Sequence, residues 1–311
     1  MTHVVGIDIA KHQFDLHLLP ENQAAHYRNN PRGIAECCRF LVRVQPEAIV
    51  LEATGGYEQA LTIALQAAGL PVIVVNPRRV RDYARAMGLI AKTDKIDAKV
   101  LAEFALCPRL CRRELPDASA RQRLVWVARR DQLVQCHGAE SNRLEHATDP
   151  WVLQSLRQVL ALLEKQIAAL DAKLAEHLAA DPHLQRQTEI IDSVPGLGAV
   201  TAAMLVTRLP ELGRVNRRQI AALVGVAPMN RDSGQYRGKR MTGGGRTRIR
   251  SALYMPTLAV IRFNPHLRAF YQRLLTQGKA KMTALVAVMR KLLTILNTMI
   301  QQNQLWKLKS A

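Results

Sequence analysis

Long uncharged apolar runs are missing from this sequence of 311 residues. No stretch reaches the roughly 18 apolar residues that a transmembrane helix requires, so the sequence predicts no membrane span. The N-terminus also lacks the basic segment and apolar core of a signal peptide, and it leads directly into a strand-like segment. We therefore expect a cytoplasmic protein.

Cysteines at metal-binding spacing are missing as well. The five cysteines are an odd number: Cys37 and Cys38 are adjacent, and Cys107, Cys111 and Cys136 form no C-x-x-C pair. Zinc sites commonly use such pairs, so the cysteines do not indicate a zinc site. Reduced and mostly structural thiols fit the cytoplasmic expectation.

Acidic residues are scarce relative to basic ones. The chain has 25 Asp and Glu against 44 Lys and Arg, which gives a formal net charge of +19. Nucleic acid is the first candidate for a polyanionic partner, because Lys and Arg neutralise phosphates and release counterions. A merely basic protein of ribosomal type is the alternative. Hydrophobic residues make up 48%, enough for folded cores, and the length fits about two domains.

Residues 1–112 predict an α/β domain. Segments such as HVVGIDIA, FDLHLL, AIVLEAT and PVIVVN are short apolar runs typical of strands, and helical segments separate the later ones. The predicted order is β-β-β-α-β-α-β-α, with hairpins first and crossovers later. An RNase H-like (RuvC-like) sheet requires this order, although the pattern alone also permits a doubly wound fold.

Residues 113–185 predict a helical middle segment. Asp149 and Pro150 are suited to the N-cap and first position of a helix. Leucines and isoleucine then follow at spacings of three and four, with heptad a positions at Leu153, Leu160, Ile167 and Leu174. The pattern favours a coiled coil through which copies of the chain associate. The alternative is an amphipathic helix that packs on the chain's own core.

Residues 186–311 predict a mainly helical C-terminal domain. Pro195, Gly196 and Gly198 indicate a tight turn of the helix-hairpin-helix kind, and the next helix could hold a phosphate at its N-terminus. An ordinary glycine turn between two helices explains the same residues equally well. The apolar stripe of the last helix, at Leu285, Met289, Leu292, Leu296 and Met299, indicates a core helix.

Four carboxylates of residues 1–112 are candidates for a metal site. Asp8 and Glu52 end predicted strands, and Asp94 and Asp97 are three residues apart on one face of a predicted helix. Acids beside buried apolar runs are costly unless they are paired or hold a metal. Carboxylate oxygens suit Mg²⁺, and two such ions about 3.5–4 Å apart can catalyse phosphoryl transfer. Each acid alone could be a turn, cap or salt-bridge residue.

A basic segment carries a candidate nucleophile, Ser233. Residues 208–250 contain eleven basic and two acidic residues, a net charge of +9 that suits phosphate binding. The segment predicts a loop, and Gly243, Gly244 and Gly245 would let its backbone approach a ligand closely. A loop serine on its own is more often a turn residue. The candidate nucleic-acid-binding residues here are Arg231, Arg237, Lys239, Arg240, Arg246, Arg248 and Arg250.

Seven segments together resemble the DEDD-type insertion-sequence transposases of the family numbered one hundred and ten. They run in the family's order along the whole chain: GIDIAKHQFDLHLL, LEATGGYE, NPRRVRDYARAMG, AKTDKIDAKVLAEFA, PGLGAVTAAMLV, LVGVAPMNRDSGQYRGKR and GGGRTRIRSALYM. The resemblance implies a RuvC-like N-terminal domain, a coiled-coil middle and a C-terminal transposase domain. It also implies a site-specific DNA recombinase of a bacterial, nucleoid-associated kind.

The same resemblance implies roles for individual residues and partners. Asp8, Glu52, Asp94 and Asp97 would be the DEDD site for Mg²⁺, and Ser233 would be the nucleophile that joins covalently to DNA. A non-coding bridge RNA that pairs with target and donor DNA would be a partner. The active form would be a homo-oligomer, in which dimers join into tetramers.

Three other functions compete with this interpretation. A RuvC-like nuclease or resolvase would hydrolyse DNA without a covalent intermediate, and would not need Ser233. A nucleic-acid-binding protein without chemistry would not need four placed acids. GIDIAK also resembles the first phosphate loop of sugar-kinase-like ATPases, but the second glycine-rich, Asp-containing loop of those enzymes is missing here.

Overall fold

The chain divides into two compact units, which we describe separately. Unit 1 is Met1–Leu115 and unit 2 is Pro116–Ala311. The structure is a computed structural model. It describes residues 3–89, 94–107, 116–230, 232–238 and 240–307, apart from the side chains of residues 94–96.

The described part of unit 1 is built on a sheet of five strands in the order β3-β2-β1-β4-β5. Strands β1, β2 and β3 pair antiparallel, whereas β4 and β5 run parallel to β1. This order confirms the mixed α/β fold and is that of the predicted RNase H-like sheet. The strand bounds are β1 Val4–Ile9, β2 Gln13–Leu19, β3 Gln23–Arg28, β4 Ala48–Glu52 and β5 Val72–Val75.

Helices cover both faces of this sheet. On one face, α1 and α2 pack through Leu41 and Leu61 on the apolar side chains of Ile7 and Leu51. On the other face, α3 and α4 contribute to a second core that includes Val50. The alternation of side chains along each strand sends neighbouring residues to these two cores. The helix bounds are α1 Pro31–Val44, α2 Gln59–Ala67, α3 Pro77–Ala86 and α4 Asp94–Ala105.

Unit 2 begins with a pair of long antiparallel helices, α5 (Ala118–His146) and α6 (Pro150–Ala179). Asp149 accepts a hydrogen bond from the backbone N–H of Val152 and caps α6, as the sequence predicted. Arg130 and Asp171 join the two helices with two hydrogen bonds. The heptad residues Leu160 and Leu174 are buried within the chain. The seam therefore contributes to packing inside the chain, which is the alternative that the sequence left open, and self-association through it stays a prediction.

The remainder of unit 2 is mainly helical, with short strands between α9 and α10. In chain order the elements are α7 Pro182–Asp192, α8 Ala199–Arg208, α9 Arg217–Val224, β6 Pro228–Met229, β7 Asp232–Ser233, β8 Tyr236–Arg237, β9 Met241–Thr242, α10 Thr247–Ala252, α11 Tyr254–Phe263, α12 Pro265–Thr276 and α13 Lys281–Gln301.

Helix α13 is the apolar helix at the centre of the unit 2 core. By length and composition alone it could cross a membrane. All five residues of its predicted stripe are buried, and four of them lie in the core cluster of the unit: Met289, Leu292, Leu296 and Met299, with Leu285 buried outside that cluster. The side chain of Asn297 is buried too, and it bonds the backbone of residues 213 and 215. These contacts identify α13 as a core helix.

The turn at Pro195–Gly198 is explained by packing. Gly196 has a φ of +94°, and a Cβ there would lie 2.7 Å from the carbonyl oxygen of Ala259 and from the Cα of Val260. Glycine is needed because α11 passes too close for any side chain. Of the two sequence-based explanations, the ordinary turn is therefore sufficient, and a bound phosphate is not required.

Candidate functional site

Asp8 and Glu52 lie side by side at the carboxyl ends of parallel strands. Ile7 and Leu51 are register partners of β1 and β4, so the next residues of the two strands, Asp8 and Glu52, are also neighbours. Ile7 and Leu51 point into the core under α1 and α2. By alternation, Asp8 and Glu52 point to the opposite face, which α3 and α4 cover. Both acids are partly exposed.

Helix α4 packs closely on β1 and carries Asp97 over the same face. A Cβ at Gly6 would lie 2.1 Å from the carbonyl oxygen of Ala98 and 2.2 Å from the backbone nitrogen of Ala102. Any side chain at residue 6 would therefore push α4 away from the strand that carries Asp8. Asp97 is partly buried next to this contact, and α4 starts at Asp94, whose side chain lies outside the described residues.

The chemistry of this set of acids fits Mg²⁺, because carboxylate oxygens are the ligands that hard divalent cations prefer. Asp8, Glu52 and Asp97 each interact with another group of the protein. Among the described side chains, no group of three or more Asp, Glu, His or Cys has the geometry of a metal site. The fourth predicted ligand, Asp94, is not among those side chains, so the site as a whole stays a prediction.

The sequence analysis did not identify Asp15, which lies next to Asp8 on the same face of the sheet. Asp15 lies directly opposite Asp8 on β2, and His26 lies opposite Asp15 on β3. Nδ1 of His26 is 2.9 Å from Oδ1 of Asp15, and the Asp15 side chain is largely buried. Directly opposed residues of antiparallel strands share a face of the sheet. The signal was available, since β1 and β2 are joined by a short turn that fixes this register.

Ser233 lies in a small β-hairpin where the sequence predicted a loop. Its strand β7 pairs with β8, and Ser233 is the register partner of Tyr236. Gly234 turns the chain with a φ of +55°, and the hairpin residues around the serine are exposed. Oδ2 of Asp232 lies 3.6 Å from Nη1 of Arg237 and 4.0 Å from Nη2 of Arg240. Ser233 is thus exposed on the hairpin, and the carboxylate of the residue before it lies close to two arginines.

The predicted basic residues fall into two groups. Arg237 and Arg240 have side chains 81% and 59% exposed, and Arg248 is exposed on α10. Arg246 instead donates to both carboxylate oxygens of Glu211, and Arg250 donates to the carbonyl oxygens of Gly244 and Gly225. The guanidinium groups of Arg246 and Arg250 are therefore hydrogen-bonded within the protein. Arg231 and Lys239 lie outside the described residues.

Gly245, the last residue of the glycine run, packs against protein backbone. Gly245 has a φ of +63°, and a Cβ there would lie 2.4 Å from the backbone nitrogen of Gly225, which ends α9. Gly225 is itself left-handed, and a Cβ on it would lie 2.2 Å from the carbonyl oxygen of Gly244. These two glycines permit the chain after the hairpin to pass over the end of α9. Close packing therefore explains them without a ligand.

Two family models match this chain. Residues 188–272 match the model described as "Transposase IS116/IS110/IS902 family". Residues 5–150 match a model of DEDD transposases of the IS110 type, described as "Transposase". The first match contains the Ser233 hairpin, and the second contains all four predicted acids.

Named relatives agree with these matches. The chain is 27% identical to a pilin gene-inverting protein of Moraxella bovis over 96% of both chains. It is 30% identical to an insertion element IS900 protein of Mycobacterium paratuberculosis, over 58% of this chain and 46% of that one. It is 24% identical to a transposase for insertion sequence element IS1328 of Yersinia enterocolitica, over 74% of this chain and 75% of the relative. Among solved structures, RuvC of T. thermophilus with a Holliday junction substrate matches with 19% identity and a TM-score of 0.25, covering 33% of this chain and 90% of RuvC.

Proposed function

Because this chain belongs to the IS116/IS110/IS902 family of transposases and is a DNA transposase or recombinase, we propose that Ser233 is the nucleophile with which it cuts and rejoins DNA. One observation carries the proposal: Ser233 is exposed on a hairpin and follows Asp232, whose carboxylate lies 3.6 Å and 4.0 Å from the exposed Arg237 and Arg240. These cations can bind the scissile phosphate and stabilise the charge that develops on it during attack.

The reaction conserves the phosphodiester bond energy. Oγ of Ser233 attacks the phosphorus, a bond between phosphorus and a deoxyribose oxygen breaks, and that oxygen leaves as a hydroxyl group. A carboxylate takes up the serine proton, since the segment contains no histidine, and a proton is returned to the leaving oxygen. A hydroxyl of the second DNA then attacks the seryl phosphate, which frees the serine and joins the strands without ATP.

Asp8, Glu52, Asp94 and Asp97 would hold Mg²⁺, with two ions in the complete site. When bound, the ions would supply positive charge that polarises the phosphate under attack. The carboxylates themselves fix where the cations bind. Without the cations they disfavour binding of the phosphate, because like charges repel.

The partners we propose are target and donor DNA, a non-coding guide RNA, and further copies of the chain in a dimer or tetramer. The excess of positive charge lies mainly in unit 2, with 29 Lys and Arg against 13 Asp and Glu, whereas unit 1 has 15 against 12. Such an excess favours binding of nucleic acid. Removal of co-purified RNA with RNase should abolish recombination, and recombination at the full rate would reject RNA guidance.

DNA inversion is a second candidate activity within the same chemistry. It is favoured by the relative from Moraxella bovis, which is named for inverting a pilin gene and matches along nearly the full chain. Inversion and transposition use the same cutting and joining steps and differ in the arrangement of the two sites. Recombination of a plasmid that carries two inverted sites, compared with two separate plasmids, distinguishes them.

Trapping the covalent intermediate tests the proposal. A nicked suicide substrate loses a short DNA fragment after attack, so the seryl–phosphate link persists and migrates as a protein–DNA adduct. We expect the adduct with wild type and with Ser251→Ala, a matched change of an exposed serine on α10, and none with Ser233→Ala. Cleavage without an adduct would favour the hydrolytic RuvC-like nuclease. Attachment mapped to Tyr236, Thr242 or Thr247 would overturn the assignment of Ser233.

A further inference from the structure

Helix α3 exposes a cluster of arginines that the activity described above does not use. Four of its ten residues, Arg78, Arg79, Arg81 and Arg85, are arginines, and Asp82 is its acid. All five side chains are on the exposed part of the helix, and the side chains of Arg78 and Arg85 are 88% and 72% exposed. Each of these two guanidinium groups is 3.9 Å from Asp82, and exposed pairs of this kind are weak. The helix therefore keeps a positive outer face.

The position of α3 links this face to the acids of unit 1. Val75, at the end of β5, is the register partner of Glu52, and α3 starts two residues later at Pro77. Its inward residue Val80 packs in the core on the α4 side of the sheet. Asp8 and Glu52 point to this same face. The arginines are thus on the side of the sheet that carries the predicted metal ligands.

Aromatic contacts fix α3 in this orientation. The ring of Tyr83 meets the ring of Phe104 on α4 edge to face, with centroids 5.3 Å apart, and the guanidinium of Arg79 lies 5.7 Å from the Phe104 centroid. Asn76 caps the start of α3 by accepting a hydrogen bond from the backbone N–H of Arg78. A helix anchored at its cap and along its inner side presents Arg78, Arg81 and Arg85 in a constant arrangement.

We propose that Arg78, Arg81 and Arg85 of α3 bind the backbone phosphates of the DNA strand that is cut at the acids of unit 1. The three residues span about 10 Å along the helix, which corresponds to about three nucleotide steps of a DNA strand. Phosphate contacts of this kind position a strand without reading its sequence. The inference rests on the proposed role of Asp8 and Glu52 in cutting DNA, because that role is what places a DNA strand on this face.

Helix α1 offers a matched control. It also carries three arginines, Arg32, Arg39 and Arg43, and one acid, Glu36. All three arginines are exposed, but α1 packs on the opposite face of the sheet, away from the side to which Asp8 and Glu52 point. Triple substitution of either helix removes the same charge from the same unit, so a difference between the two variants reports position and not net charge.

The test measures DNA binding by the full-length protein. Variants Arg78→Ala/Arg81→Ala/Arg85→Ala and Arg32→Ala/Arg39→Ala/Arg43→Ala are compared with wild type by fluorescence anisotropy, with a mixed-sequence DNA duplex as the probe. The α3 variant should bind at least about 10-fold more weakly, and the slope of log K against log salt should fall by about 2–3, since each lost phosphate contact contributes about 0.9. The α1 variant should change affinity by less than about 2-fold and leave the slope unaltered.

Two further arms keep the outcome interpretable. Unchanged thermal unfolding midpoints establish that both alanine variants fold, as expected for exposed side chains. The lysine variant Arg78→Lys/Arg81→Lys/Arg85→Lys should retain most of the binding, because phosphate contacts require the positive charge. Equal losses from α1 and α3, an unchanged salt slope, or a loss confined to a structured RNA of equal length would overturn the proposal. The readout is binding and needs no cleavage, so it stands apart from the adduct test of Ser233.

Discussion

Arg246 donates two hydrogen bonds to the carboxylate of Glu211, from Nη1 to Oε2 at 2.7 Å and from Nη2 to Oε1 at 2.5 Å. The same Nη1 also donates to the carbonyl oxygen of Arg208, and Nη2 of Arg208 donates to Asp131 on α5. These contacts tie the start of α10 to the end of α8 and to α5. Arg246, which the sequence predicted to bind nucleic acid, therefore forms an ion pair within unit 2.

Replacement of Arg246 should destabilise the protein, whereas replacement of Arg248 should weaken nucleic-acid binding. Arg246→Ala removes a bidentate, partly buried ion pair with Glu211, so the free energy of unfolding should fall by about 1–3 kcal/mol. The exposed Arg248, two residues away, should tolerate alanine within about 0.5 kcal/mol. Denaturant unfolding measures both changes in stability, and fluorescence anisotropy with DNA measures the binding of the Arg248→Ala variant. An equally stable Arg246→Ala variant would show that the Glu211 pair is dispensable.

Loss of an acid from unit 1 should stop cleavage and spare binding. Asp8→Asn and Asp97→Asn each remove a charged oxygen ligand while leaving the basic surfaces intact, so strand cleavage should become undetectable and DNA affinity should change little. Glu21→Gln, a change of an exposed acid that is paired with His3, is the matched control and should cleave normally. Gel analysis of plasmid cleavage and anisotropy measure the two properties. Full cleavage by Asp8→Asn would exclude the metal site.

The outer side of α6 should contribute to self-association. Trp151, Val159 and Leu162 form an exposed apolar stripe, with Trp151 and Leu162 75% and 55% exposed. Leu162→Lys should lower the mass measured by light scattering, because a charge in an apolar contact is costly, roughly 3–5 kcal/mol if buried and unpaired. Ala175→Lys, at an exposed alanine outside the stripe, should leave the mass unaltered.

The heptad position Ile167 separates packing inside the chain from packing between chains. Ile167 lines a groove between α5 and α6 together with Val134 and Asp171. Ile167→Lys should therefore lower the unfolding midpoint, whether or not it also changes the mass measured by light scattering. A lower mass at an unchanged midpoint would mean that the heptad seam serves association between chains, as the sequence first predicted. An unchanged mass for Leu162→Lys and for Ile167→Lys would place the contact between copies elsewhere.

Two glycines should respond to alanine in opposite directions. Gly196→Ala puts a Cβ 2.7 Å from the backbone of α11 at a positive φ, so we expect a loss of stability of about 1–3 kcal/mol or more. Gly138 lies inside α5 with open space around its Cβ position, so Gly138→Ala should stabilise by about 0.5–1 kcal/mol. Thermal unfolding of both variants checks this. A neutral Gly196→Ala would contradict the close packing against α11 as the reason for this glycine.

Local patterns in the sequence predicted the strands of unit 1, the start of α6 and the positions of Asp8 and Glu52 at strand ends. The apolar runs that contain Ile7 and Leu51 predict buried strands because their pattern is local, and the acid after each run follows directly. Asp149 predicts a helix start because an N-cap bonds a backbone group only three residues away. Properties that depend on neighbours within a few residues could therefore be predicted.

Which charged and small residues are available for function depends on contacts between distant parts of the chain. Whether Arg246 contacts DNA or Glu211 depends on a partner 35 residues away, and the need for glycine at 196 depends on Val260. The seam of α6 could pack on another copy or on α5, since an apolar stripe does not specify its partner. Each choice depends on the energies of contacts between residues that are distant in sequence. Those contacts exist only once the helices and strands have packed together.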